Sequence, residues 1–241
     1  MTCCCDILTK NYELEESRKL FYSLKTSEQQ FCDCFLDLFD IDYGIVFGKQ
    51  PKEVFLFEIL KKFYHNDYFI RYSFIKKALM KSSAISFEEL PVCDSRVDLI
   101  SINGKSVAYE IKTEFDNYTK LKKQLNDYSK CFEYLYVICP TQCVDKIKAF
   151  LPHYCGIYSY EGKNMVRFKM MKESSLSPNL NGYEMLKLFQ RKELFDVFHS
   201  FDLLDISKNE SLNTINDALK LVLKKRYKKK WNDLMAKVKG L

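Results

Sequence analysis

Ser95-Arg-Val-Asp-Leu-Ile-Ser-Ile-Asn-Gly-Lys-Ser-Val-Ala-Tyr-Glu-Ile-Lys-Thr113 carries the most specific pattern in the chain. Two alternating, β-branched runs, 96–102 and 106–113, flank Asn103-Gly104, a dipeptide that favours a tight turn between antiparallel strands. Strand side chains alternate, so Ala108, Glu110 and Lys112 share one face while Val107, Tyr109 and Ile111 share the other. A carboxylate and an ammonium thus stand among apolar neighbours, where an unpaired charge is costly. A mutual ion pair would offset that cost, and so would a divalent cation, for which carboxylates are hard oxygen ligands. The turn decides whether Asp98 joins them. A two-residue I′ loop pairs Ile102 with Lys105 and leaves Asp98 on the Tyr109 face. A type I turn with Gly104 as a left-handed bulge pairs Ser101 with Lys105 and sets Asp98 opposite Ala108, diagonal to Glu110. A metal site demands the second register.

Outward from the hairpin, apolar runs at 85–90 and 134–139 read as further strands, with 156–160 and 165–170 as a weaker later pair. Tyr118, Leu121, Leu125, Tyr128 and Phe132 recur at three- and four-residue spacing, one face of a helix over 118–132. The order helix, three strands, helix, strand predicts a mixed α/β sheet with a crossover helix before the fourth strand. The first 40 residues read as two amphipathic helices interrupted near 25–27, and 54–63 and 69–81 as two more. Beyond a Ser/Pro/Asn linker at 174–181, 182–199 and 211–239 read as helical. The expected organisation is a helical N-terminal extension (1–50), an α/β core (51–173) and a helical basic C-terminal region (182–241).

The 241 residues are 47% hydrophobic and 15% aromatic, enough to bury a core. Their 38 Lys+Arg against 32 Asp+Glu give +6, and the excess is uneven: residues 1–60 are acidic and residues 211–241 strongly basic. Ten cysteines, three of them consecutive (Cys3, Cys4, Cys5), do not form a secreted disulfide framework, and the N-terminus shows no cationic segment leading into an apolar one. Cys32-x-Cys34 and the pair Cys139 and Cys143 lack a second Cys or His pair at zinc spacing. No apolar run approaches the roughly 18 residues of a membrane span. A cytoplasmic protein with reduced thiols is expected.

Arg96-x-Asp98, then Glu110-x-Lys112, then a helix with Gln124-x-x-x-Tyr128 and an apolar strand, resembles the PD-(D/E)XK phosphodiesterase superfamily, with its restriction-endonuclease-like αβββαβ core. Ser86-Phe-Glu-Glu-Leu90 before the hairpin brings it nearest to a bacterial and phage subfamily of largely unassigned function. Val97 replaces the Pro of the superfamily name. Glu-x-Lys alone is not specific, since Glu161-Gly-Lys163 repeats it; the ordered set carries the resemblance. It covers about 69–155 and, more faintly, the chain from 183 onward, leaving 1–50 outside.

The resemblance implies a nuclease, a hydrolase using Mg²⁺ or Mn²⁺ on nucleic acid, with DNA the expected substrate. Asp98, Glu110 and the Ile111 carbonyl would hold the metal, with Glu89 the first candidate for a further acid and Glu88 the second. Lys112 would orient or deprotonate the attacking water, and Gln124 would reach a bound water or phosphate. Arg96 reads as a structural partner for a carboxylate. Cations must flank such a cleft, and Lys120, Lys123, Lys224, Lys225, Lys228 and Lys229 are the candidates to meet nucleic-acid phosphates. The tail sets these last four opposite a stripe of Leu219, Val222, Leu223, Tyr227 and Trp231. The alternative is a catalytically inactive module of the same fold that binds nucleic acid or, through the N-terminal helices, a protein partner in a phage or host-defence role; Glu110 and Lys112 are then only a same-face ion pair.

Overall fold

Alternation and turn chemistry produce the hairpin in the computed structural model, which describes residues 14–39, 52, 60, 66–80, 82–162 and 166–240. Strands β1 (Ile85–Val92), β2 (Ser95–Asn103) and β3 (Lys105–Ile111) form an antiparallel meander. Strands β4 (Tyr134–Pro140) and β5 (Gly156–Glu161) run parallel to β3, and β6 (Arg167–Lys172), mostly exposed, pairs antiparallel with β5. The result is a six-stranded mixed sheet in sequence order. A parallel neighbour cannot be reached by a tight turn. The connection from β3 to β4 accordingly contains a helix, called α4 below (Leu121–Ser129), three residues shorter at each end than its apolar stripe suggested.

The hairpin register is neither of the two expected. Asn103 pairs with Lys105, leaving Gly104 alone at the apex with φ +73°. The tighter turn advances the pairing by one or two residues, so that Leu99 faces Tyr109 and the next step brings Asp98 level with Glu110. On the other side of β2, Glu88 faces Leu99 and Leu90 faces Val97, so Glu89 stands level with Asp98. Three acids therefore form one row across β1, β2 and β3.

The chain divides into two compact units, the first comprising Met1–Ile70, Gly162–Met165 and Gly240–Leu241, and the second Arg71–Glu161 and Val166–Lys239. In the first, α1 (Leu14–Thr26) and α2 (Glu28–Phe39) bury Leu20, Phe21, Phe31 and Phe35. The break expected near 25–27 falls at Ser27, whose hydroxyl accepts the Gln30 N–H at 3.0 Å and so caps α2. The expected helix at 54–63 and the boundary at residue 50 lie outside the described residues, apart from helical Leu60. Helix α3 (Asp67–Phe74) continues as a π-helical turn, Ile75–Leu79.

In the second unit the sheet is packed on both faces. On one, Phe87, Ile100, Ile102, Ala108, Leu135 and Val137 meet Leu121, Leu125 and Tyr128 of α4. The same core takes in Met185 and Leu186 of α6 (Gly182–Leu186) and Ile215, Leu219 and Leu223 of the long α9 (Leu212–Gly240). On the other, Phe74 lies against Tyr109, Tyr158 and Phe168 at 5.1–5.2 Å. Short helices α5 (Val144–Lys148) and α8 (Leu203–Asn209), not anticipated, and α7 (Arg191–Phe198) complete the unit. No helix among the described residues is long and apolar enough to cross a membrane.

Candidate active site

Glu110 is 1% exposed, on the face covered by α4. Its Oε1 accepts from Lys112 Nζ at 2.7 Å, and its Oε2 lies 2.8 Å from the Tyr128 hydroxyl. The same hydroxyl is 2.6 Å from the Arg96 carbonyl oxygen, and one hydroxyl proton cannot serve both acceptors. Burial raises the Glu110 carboxyl above the usual carboxylate range. Lys112 follows the end of β3 but keeps the ladder, its N–H donating to Ile138 O at 2.8 Å. Its ammonium also donates to Gln124 Oε1 at 3.1 Å, so Gln124 points from α4 into the row of acids.

Asp98 is held by the backbone of the neighbouring strand: Oδ2 accepts the Ile111 N–H at 2.7 Å. Burial, and next the Glu110 carboxylate, push its carboxyl up to about 7 against the pull of Arg71. Ile111 thus touches Asp98 through its main chain, while its side chain is buried on the opposite face with Tyr109.

Arg71, on α3, is the residue that sequence reasoning missed. Its Nη1 lies 3.1 Å from Glu88 and 3.2 Å from Glu89, and its Nη2 lies 3.9 Å from Asp98. The signal was present: one of only six arginines, standing in the otherwise aromatic-apolar segment Phe69-Ile-Arg-Tyr-Ser-Phe74. Glu89 adopts φ +57° inside a strand, a conformation that costs a non-Gly residue on the order of 1–2 kcal/mol. It is gripped there by Arg71 and, at 3.4 Å, by Arg96. Arg96 thus has the carboxylate partner expected of it.

The rim candidates divide. Lys123 is committed to Asp127 at 2.9 Å and Asp94 at 3.4 Å, and Lys120 is exposed just before α4. Of the tail lysines, Lys224 is half-buried and Lys225, Lys228 and Lys229 are exposed. Their helix lies on the face that carries Asp98 and Glu110, where Tyr227 stacks on Phe87 with ring centroids 4.0 Å apart. Arg226 turns away to pair with Glu193.

Two hard-oxygen donors, Asp98 and Glu110, stand level on adjacent strands. No three His, Cys, Asp or Glu side chains among the described residues gather at metal-holding spacing. That donor set fits Mg²⁺, which takes one or two carboxylates and keeps several waters, better than a cation that requires a full protein cage. Glu110 would have to exchange one of its present partners to ligate.

Residues 58–240 match the model of the bacteriophage P4 protein cII family. The chain belongs to that family. It is similar to Protein cII of Enterobacteria phage P4, at 26% identity over 175 residues. The alignment takes in 67% of this chain and 66% of that protein. Among solved structures it is similar to the SPO1766 protein of unknown function from Silicibacter pomeroyi, with a TM-score of 0.38 and 13% identity over 58% of this chain and 91% of that one. The family match spans the whole sheet and the C-terminal helices, and leaves out α1 and α2.

Proposed function

We propose that this cII-family protein is a Mg²⁺- or Mn²⁺-dependent nuclease with a restriction-endonuclease-like core, hydrolysing phosphodiester bonds of DNA. The observation that carries the reading is the meeting of Asp98, Glu110, Lys112 and Gln124, from two strands and a helix, on one face. Asp98 and Glu110 would hold the cation, with the Ile111 carbonyl beside them, and it would polarise the phosphoryl oxygen and stabilise the charge that develops there. Lys112, now paired with Glu110 at 2.7 Å, would orient the attacking water through its ammonium. Gln124 fixes the Lys112 side chain from above and offers its amide to a phosphate oxygen. The test is incubation of the purified chain with linear, circular, single-stranded and branched DNA, and with RNA, with and without Mg²⁺ or Mn²⁺. Metal-dependent cleavage that falls at least a hundredfold in Lys112→Ala is expected. No cleavage of any substrate, with wild type and variant alike, would overturn the proposal.

Arg71 favours a second reading, an inactive module of the same fold that binds nucleic acid. Two buried cations, Arg71 and Lys112, already balance much of the charge of Glu88, Glu89, Asp98 and Glu110 with no metal bound. Salt-dependent DNA binding that survives Glu110→Ala, without cleavage, would favour that reading.

A further inference from the structure

Outside the row of acids, the segment leaving β3 and the segment leaving β4 border an open pocket of about 520 Å³. Asp116, Asn117, Tyr118, Thr119 and Lys122 line it from the first segment, and Lys146 and Phe150 from the second. It lies outside the carboxyl ends of two adjacent parallel strands, the usual place for a ligand in such a sheet. Its size is within the range of roughly 300–1,000 Å³ for small-ligand sites. Phe150 is 51% exposed although it is a large apolar ring, and Tyr118 offers a second ring. Lys122 and Lys146 supply two exposed cations. Asp116, the acid of the group, is exposed, but its Oδ2 is engaged by the Thr113 N–H at 2.7 Å and the Thr113 hydroxyl at 2.8 Å, so it pins the loop.

We propose that this pocket receives an unpaired nucleobase of a single-stranded nucleic acid, stacked on Phe150 and Tyr118, with the flanking phosphates on Lys122 and Lys146. The proposal rests on the nucleic-acid reading above and narrows its substrate to strands with unpaired nucleotides. Flat apolar rings beside cations match a base beside its phosphates. Lys146 now covers Tyr118, its ammonium 5.0 Å from the ring centroid. A base stacked on an aromatic ring gains more than an exposed ammonium over the same ring does. The base therefore displaces the lysine, which is then free to meet a phosphate. The loop that lines the pocket begins directly after Lys112, so a strand anchored here continues toward the row of acids.

The 241-residue chain is titrated in chelator with a labelled single-stranded oligothymidylate and, separately, with a duplex of the same length, reading fluorescence anisotropy. Phe150→Ala is expected to weaken single-strand binding about 5- to 150-fold and duplex binding less than about twofold, with Phe150→Tyr close to wild type. Lys122→Gln with Lys146→Gln is expected to flatten the single-strand salt slope by about 0.7 for each lysine. An unaltered Phe150→Ala, or equal weakening for both nucleic acids, would overturn the proposal. So would saturable binding of an acidic tryptophan-containing peptide with no response to the oligonucleotide. Because binding is read without metal, failed cleavage with this single-strand effect intact removes the nuclease reading alone, and intact cleavage with a silent Phe150→Ala removes the pocket alone.

Discussion

Arg71 stands between three carboxylates, and its removal separates charge balance from metal chemistry. Without it, Glu88, Glu89 and Asp98 repel one another in a partly dry setting, and a loss of about 2–4 kcal/mol is expected for Arg71→Ala. If the acids can take a cation, Mg²⁺ raises the melting temperature of Arg71→Ala by more than it raises that of wild type; equal increments would count against a cation site there. Asp98 makes a second test, by pH. Its carboxyl is raised in the folded chain, so the folded state binds more protons than the unfolded one between about pH 4 and 7, and stability falls as pH rises through that window. The fall is on the order of 2 kcal/mol, allowing for partial exposure. Asp98→Asn should flatten it in chelator, as thermal melts across that range would read. The same-face pair of Glu110 and Lys112 was legible because a strand's two-residue period is written in the sequence, whereas Asp98 joins it only through the register. Arg71 was not legible, because its partners lie seventeen or more residues away and only tertiary packing joins them.

At the level of elements, all six strands could be read from short β-branched or apolar runs, the last two more weakly, and the α4 stripe of Leu121, Leu125 and Tyr128 from its spacing. The register could not. Asn103-Gly104 signals a turn, yet several turns accept that dipeptide, and each slides β3 along β2 by one residue. Packing chose a turn with Gly104 alone at the apex, and pairing Asp98 with Glu110 came with it. A Cβ on Gly104 would meet nothing within 4 Å, so its φ of +73° sets the cost of substitution. Gly104→Val should lose about 1–2 kcal/mol and Gly104→Asn much less, in denaturant melts. The short helices after β4 and after α7 were missed for want of length: five to seven residues hold too few turns to display a period.

For the whole molecule, the charge asymmetry is tied to the way the tail is anchored. Ile215, Leu219 and Leu223 sit in the main core, so deleting residues 211–241 would unfold the second unit rather than strip a basic arm. Neutralising Lys224, Lys225, Lys228 and Lys229 to Gln keeps that core. If these lysines meet DNA, the slope of log affinity against log salt should shrink by about 0.9 for each contacting lysine on duplex DNA. An unchanged slope in filter-binding or anisotropy titrations would make them a solubilising face.

The outermost strand, β6, bears on how copies of the chain behave in a crowd. Among the described residues it pairs with β5 alone, so its far side is the kind of free backbone edge on which a foreign strand can grow. Met170 and Met171 are exposed there, and apolar side chains would encourage such growth. Arg167, Lys169 and Lys172 are interleaved with them. Two molecules meeting edge to edge bring these like charges together before any backbone bond can form. The lysine-rich composition therefore guards against fibre formation at one end of the sheet, quite apart from any role at the other.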